Sequence, residues 1–413
     1  MTVAVSTVNT ASVNTAYAAL DRRAYRLTSI DMLRGLVIII MALDHVRDFV
    51  MLGAVSNPMS DPNVNPFLFF TRWITHFCAP VFVFLAGASA GLMAARKSPS
   101  SLAAFLVKRG LWIIFIEVAV ISTAITFSPF GVEQAGGRTL IMLRVLWVIG
   151  ASMVVLAGAQ FLGMRACLIM GLTIVLGHNL LDAVWPAGGM VGTPSLLWIS
   201  LHSKVKFIAG QFLILIGYPL LPWMGVMLMG YGAAGIFQST PERRNSQLLG
   251  IGIGLIAAFV LLRILDVYGD RNGWHLQLAG VTATIMDFLN TTKYPPSLLY
   301  LLMTLGPAAL VCANADRFKG WTKDTLVMFG RAPFVFYIAH FYLAHALALA
   351  LGVYQGFTVR QMMTDPGFNP KGFGVELPGV YVMWLLVIVL LYPLCRWIAA
   401  VKRRRTDWWL SYL

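Results

Sequence analysis

Apolar runs of about 20 residues, each closed by a short polar break, recur along this chain from about residue 29 to about residue 400. Helices of that length cross a bilayer. The pattern predicts spans at about 29–51, 73–95, 104–126, 139–161, 164–182, 212–237, 247–265, 296–314, 325–352 and 378–400. The sixth is interrupted at Tyr218-Pro219 and Leu221-Pro222, which suits one kinked helix or a short re-entrant piece followed by a span. The expected fold class is all-α, a polytopic membrane helix bundle of about ten transmembrane helices. Residues 1–26 are rich in Thr, Val, Ala, Ser and Asn without a continuous apolar stretch, and read as a disordered cytoplasmic tail rather than a signal peptide. Residues 27–401 form the multi-pass domain, and 402–413 form a basic and aromatic C-terminal tail.

Composition supports this reading. Of 413 residues, 58% are hydrophobic and 12% charged, and the mean hydropathy is +0.76. Soluble domains carry roughly 25% charged residues. The net charge of +14 could point to nucleic acid, but basic residues in a polytopic chain report topology, and no nucleic-acid partner is expected. With the N-terminus inside, the inner loops hold roughly twice as many Lys and Arg as the outer ones. That bias predicts a cytoplasmic (inner) membrane protein with both termini cytoplasmic. Cys78, Cys167, Cys312 and Cys395 are scattered through apolar runs, without metal-ligand spacing, and read as small packing residues.

The stretch Ile30–Phe49 (IDMLRGLVIIIMALDHVRDF) departs from the pattern, because it carries charge at both ends of an apolar helix. Arg34 and His45 are eleven positions apart, which places them within about 20° of each other after three turns. Asp31 and Asp48 lie three residues outside them. Ionisable groups inside a membrane helix are costly and rarely kept without a use. The same topology puts His45, His76, His275, His340 and His345 toward one outer region, with Arg34 toward the cytoplasm.

DMLRGLVIIIMALDH followed by THFCAPVFVFLAGASAGL resembles the catalytic domain of the heparan-alpha-glucosaminide N-acetyltransferase-like family of membrane acyltransferases, bacterial branch. KRGLWIIFIE (108–117), the stretch from Tyr218 to Gly235, KYPPSLLYLLMTLGP (293–307) and FGRAPFVFYIAH (329–340) are similar to the same group, so the resemblance runs from about residue 27 to about residue 400. It implies an acyl-CoA-dependent transferase that moves an acyl group, acetyl by expectation, to a hydroxyl or amino group of an extracytoplasmic sugar or glycan. Acyl-CoA is then a co-substrate, with no permanently bound cofactor and no metal. Family enzymes from animals place the catalytic histidine in the loop after the first helix of the domain. Here no histidine lies between His45 and His76, and His45 is the nearest substitute.

Acyl transfer needs a base for the acceptor's proton and a stabiliser for the tetrahedral oxyanion. A carboxylate beside a histidine fixes its tautomer, so His45 with Asp48, or with Asp44, supplies the expected catalytic pair. The alternative is an interfacial charge cluster that merely ends the helix. His76 is a second base, an oxyanion donor or an interfacial histidine. Arg34 suits a CoA phosphate or a structural pair with Asp31. Arg96, Lys108 and Arg109 are topology anchors or contacts for the CoA 3′-phosphate. Lys293 and Tyr294 either pin the start of span eight or line the acceptor site, and His340 is catalytic, acceptor-binding or a packing residue. Glu117 is expected to pair with a basic group. Gly87 and Gly91 suit close helix packing or a homodimer.

Two other function classes fit the same residues. A transporter or permease for a small solute would use intramembrane charges and broken helices, although no internal repeat is evident. A scaffold for an envelope polysaccharide system with a decayed site is the third. Walker A and HExxH motifs are absent.

Overall fold

The computed structural model describes residues 10–53, 58–61, 64–184, 195–405, 407, 409 and 410. It is an all-α bundle with one small sheet. α1 (Thr10–Val50) is followed by α2 (Pro66–Thr75), α3 (Cys78–Ala94) and α4 (Pro99–Phe115). A π-helical turn, Ile116–Ile121, links α4 to α5 (Ser122–Thr126). Strand β1 (Thr139–Leu143) precedes α6 (Val145–Ala159), α7 (Met164–Gly177), α8 (Leu181–Val184) and α9 (Leu196–His202). Strands β2 (Val205–Ala209) and β3 (Phe212–Ile216) lead into α10 (Leu220–Gly232) and α11 (Pro241–Leu265). The chain closes with α12 (Val281–Leu289), α13 (Leu298–Ala313), α14 (Gly320–Arg331), α15 (Pro333–Tyr354), α16 (Val359–Met362) and α17 (Leu377–Arg404).

Among the described residues, six helices are long and apolar enough to cross a membrane: Pro66–Ala94, Val145–Leu162, Leu220–Gln238, Pro241–Leu265, Pro333–Tyr354 and Leu377–Arg404. Met164–Leu180 and Leu298–Ala313 are shorter apolar helices. Three predicted boundaries shift. Spans four and six were expected to begin at residues 139 and 212, but these starts are β1 and β3, which pair in parallel from Thr139↔Phe212 to Leu143↔Ile216. LIML (140–143) and FLILI (212–216) are continuous apolar runs, so periodicity cannot separate buried strand from helix there. β2 joins β3 antiparallel through a turn at Gly210, whose φ of 58° suits glycine. In place of a kinked or re-entrant helix, the prolines at 219 and 222 start α10, where missing N–H groups cost nothing. The predicted ninth span is two helices, α14 and α15, broken at Pro333.

Residues 1–9 lie outside the described residues, but the backbone from Thr10 onward is helical and continuous with the first span. AYAALDRRAY (16–25) is rich in residues that lose little side-chain freedom in a helix.

The middle of the bundle is α1, with α3, α14, α15 and α17 packed on it. Its crossing with α14 leaves no room for side chains. A Cβ on Gly35 would fall on the carbonyl oxygen of Leu326, and one on Gly330 on that of Asp31. Gly87 and Gly91 play the same part against α10, facing Met227, Tyr231 and Ala234, so these two glycines serve packing within the chain. All four cysteines are buried and free, as expected of packing residues.

Gly35→Ala is expected to destabilise the protein by about 1–3 kcal/mol through overpacking. Gly158→Ala, whose Cβ meets open space, is the control. Thermal melting in detergent checks this: equal midpoints for the two variants would mean the α1–α14 crossing is not constrained as described.

Candidate functional site

α1 and α15 bring two imidazoles into contact. His45 Nδ1 lies 2.6 Å from His340 Nε2, and the rings are near-parallel with centroids 5.0 Å apart. His340 is fully buried, and its Nδ1 sits 3.0 Å from the carbonyl oxygen of Phe336, one turn earlier. A carbonyl only accepts, so Nδ1 of His340 carries a hydrogen. In the neutral ring Nε2 is then the acceptor, and His45 must donate its Nδ1–H to it. The nitrogen left with a free lone pair is Nε2 of His45. Phe341 stacks on the His45 ring at 4.3 Å and holds its plane.

The expected carboxylate partner of His45 is absent from this arrangement. Asp48 is one helical turn away, but the buried guanidinium of Arg47 takes it at 2.5 Å. Asp44 is bound by Arg47 at 3.2 Å and by Arg72 of α2. Arg47 and Arg72 are both nearly inaccessible, and a buried guanidinium without a carboxylate is strongly unfavourable. The arginines therefore outcompete the imidazole for both carboxylates, and His340 holds His45 in their place.

His45, Asp44 and Asp48 line a cavity of about 210 Å³ together with Arg72, Arg144, Lys204, Tyr218, Tyr294, Tyr337 and Asp365. Arg144 stands at the start of α6, where its backbone N–H donates to Glu117 Oε1 at 3.0 Å. Glu117 thus binds a backbone amide rather than the basic side chain that was expected. The Arg144 guanidinium reaches Asp365 only at 3.9 Å. Burial raises the Asp365 carboxyl against the lowering effect of Arg144. Tyr294 meets Tyr218 edge-on at 5.2 Å, with the ammonium groups of Lys204 and Lys293 4.8 and 5.5 Å from its ring centre. Burial alone would push the Tyr294 phenol up, but the charges of Lys293, Arg72 and Lys204 outweigh it and bring it down to about 8.

The other end of α1 opens on a second cavity of about 590 Å³. Arg34, Arg109, Arg331, Lys402 and Arg403 line it against a single carboxylate, Asp31. Arg34 binds Asp31 at 3.1 Å and the Ser89 hydroxyl at 3.3 Å, and Arg331 reaches the other Asp31 oxygen at 3.4 Å. Deeper in, the wall is apolar: Ile38, Phe82, Ile113, Leu146 and Ile149. Tyr337 and Val145 line both cavities.

Other candidate residues fall elsewhere. Arg96 and Lys108 are exposed and line neither cavity, whereas Arg109, one position on, does. His76 is buried against the Tyr300 ring at 5.4 Å and lines neither cavity. His345 bridges the carbonyls of Ala124 and Met362 at 3.0 and 2.9 Å, a packing arrangement. Lys293 and Tyr294 sit in a loop held by Asp270, which accepts from Thr292 N and from the Thr292 and Ser297 hydroxyls, and by His178, 2.8 Å from the Pro296 carbonyl.

The catalytic family model described as heparan-alpha-glucosaminide N-acetyltransferase matches residues 26–265. The chain belongs to that family. It is thus a membrane protein of an acyltransferase family. The matched part runs from α1 through α11 and contains Arg34, His45 and His76, while Tyr337 and His340 lie beyond it. No curated protein matches the chain.

Sequence reading missed Arg144, Lys204, Tyr218 and Asp365 as cavity residues. Lys204 directly precedes the short strand β2, and Asp365-Pro366-Gly367 reads as an ordinary turn. Tyr294 offers a test that does not depend on activity. An absorbance step for tyrosinate is expected near pH 8, absent in Tyr294→Phe and moved upward in Lys204→Met. The folded phenol lies below the unfolded value of about 10, so its contribution to stability is full above about pH 10 and is lost as pH falls through about 8. A first step only near pH 10 would show that the lysines do not act on this ring.

Proposed function

We propose that the chain transfers an acyl group, acetyl by family, from acyl-CoA held in the Arg34 cavity to a sugar or glycan hydroxyl or amine in the His45 cavity. The observation that carries this is the shared wall: two cavities at opposite ends of α1 adjoin at Tyr337 and Val145, beside the His45–His340 pair. Five basic side chains suit the phosphates of CoA, because guanidinium forks bind phosphate oxygens in pairs. The apolar wall beyond them suits the pantetheine arm, which brings the thioester to the divide. Arg34 and His45 are ~16 Å apart along α1 at 1.5 Å per residue, so a thioester reaching that far would meet the base.

In this reading His45 Nε2 takes the proton of the acceptor as its oxygen or nitrogen attacks the thioester carbon, and His340 keeps the lone pair on that nitrogen. The resulting imidazolium returns the proton to the departing CoA thiolate. The basic-residue bias supports a reading with the Arg34 end toward the cytoplasm, where acyl-CoA is made, and the His45 end outside, with the protein in the inner membrane.

His45→Ala is expected to lower transfer from labelled acetyl-CoA by about 10²–10⁴-fold while CoA still binds. Lys402→Met is expected to raise the KM for acetyl-CoA about tenfold, or ~1.4 kcal/mol, with kcat unchanged. Kinetics of the purified protein check both. A His45→Ala enzyme of full activity would sink the assignment of the base, and solute uptake into proteoliposomes without CoA would favour a transporter instead.

A further inference from the structure

Base and donor cavity leave one requirement of acyl transfer unmet. The carbonyl oxygen of the thioester gains a full negative charge in the tetrahedral intermediate, and in a buried site it needs a donor already in place. His45 is occupied as the base, and His340 spends both nitrogens on Phe336 and His45. Arg47 and Arg72 are tied to Asp44 and Asp48.

Among the described residues, Tyr337 is the polar side chain common to both cavities, the other shared residue being Val145. Its ring is 5% exposed and packs edge-on against one aromatic cluster: His45 at 6.3 Å, His340 at 5.5 Å and Phe341 at 5.3 Å. Among the described residues its hydroxyl makes no hydrogen bond, whereas buried Tyr300 gives its own to the His76 carbonyl at 2.7 Å and half-buried Tyr342 to that of Val120 at 3.2 Å. The Tyr337 ring is thus held among aromatic neighbours, and the residue lines both cavities.

Resting on the donor and acceptor assignment above, we propose that Tyr337 is a catalytic residue that donates its O–H to the thioester carbonyl oxygen and stabilises the oxyanion. The acceptor's oxygen or nitrogen forms a bond to the carbonyl carbon, its proton passes to His45 Nε2, and the C=O π electrons move onto the oxygen facing Tyr337. When the carbonyl re-forms, the C–S bond breaks, its electron pair leaves with sulfur, and the His45 proton goes to the thiolate. Tyr337 keeps its proton throughout. The products are acylated acceptor and CoA.

The test uses the full-length protein in detergent with acetyl-CoA, reading thiol release with glucosamine or water as the acceptor. Tyr337→Phe keeps the ring that braces the histidines and removes only the hydroxyl. It is expected to lower kcat about 10²–10³-fold, with the Kd for CoA and the melting midpoint within error of wild type. Tyr337→4-aminophenylalanine, which retains a weaker donor, is expected to recover part of that loss, a recovery that a purely structural tyrosine would not give. A Phe variant within about threefold of wild-type kcat, alongside an inactive His45→Ala, would overturn the oxyanion role and leave the transferase reading standing. A Phe variant that loses CoA binding or folding together with kcat, without recovery in the aminophenylalanine protein, would also overturn it. Wild-type protein that releases no thiol under any of these conditions would overturn both.

Discussion

Charge buried in an apolar bundle must be neutralised where it lies, and that constraint organises this molecule. An ionised side chain without a partner is too costly to keep away from water. Every acidic group on the first span is accordingly clamped: Asp31 by Arg34 and Arg331, Asp44 by Arg47 and Arg72, and Asp48 by Arg47. These pairs bolt α1 to α2 and α14, and they leave His45 to another imidazole. A histidine bonded to a carboxylate favours the charged ring, whereas one bonded to the acceptor nitrogen of a second histidine is held as a particular tautomer without a fixed charge beside it. The ion pairs thus do more than tie helices together, since by occupying both carboxylates they leave His45 to bond with His340.

Close packing supplies the second condition. Gly35 and Gly330 let α1 and α14 touch backbone to backbone, and that contact brings Asp31 within reach of Arg331. The break at Pro333 then redirects the chain, so that α14 packs beside Arg34 while α15 carries Tyr337, His340 and Phe341 to His45 near the C-terminal end of α1. The small sheet does comparable work at the other end. Strand residues Met142 and Leu215, with Lys204 and Gly217 beside the strands, wall the cavity in a region where an uninterrupted helix would have filled it.

Much of this was legible in the residues. Span-length apolar runs marked the class, since nothing but a membrane bundle hides so much apolar surface in so few charged residues. The charged ends of Ile30–Phe49 marked the helix that lines both cavities, because such residues stand out against an apolar background. The Asp31–Arg34 pair followed from spacing alone, three residues apart on one helix face. The family resemblance, carried by DMLRGLVIIIMALDH and the segment after it, agrees with the family to which residues 26–265 belong.

What the sequence by itself determined was local: which segments are apolar helices, which of them carries charge at both ends, and which charges share a helix face. Which groups meet across some 300 residues of chain was decided by tertiary structure. His45 and Asp48 are neighbours by spacing, yet His45 bonds to His340, because competition among buried ions is settled by every partner within reach and not by those on one helix. Likewise β1 and β3 look like the starts of helices, since an apolar run has no period to betray its conformation, and only their pairing with each other makes them strands. The wall between the two cavities, Tyr337 and Val145, belongs wholly to this second kind, because it exists only where α6 and α15 converge on α1.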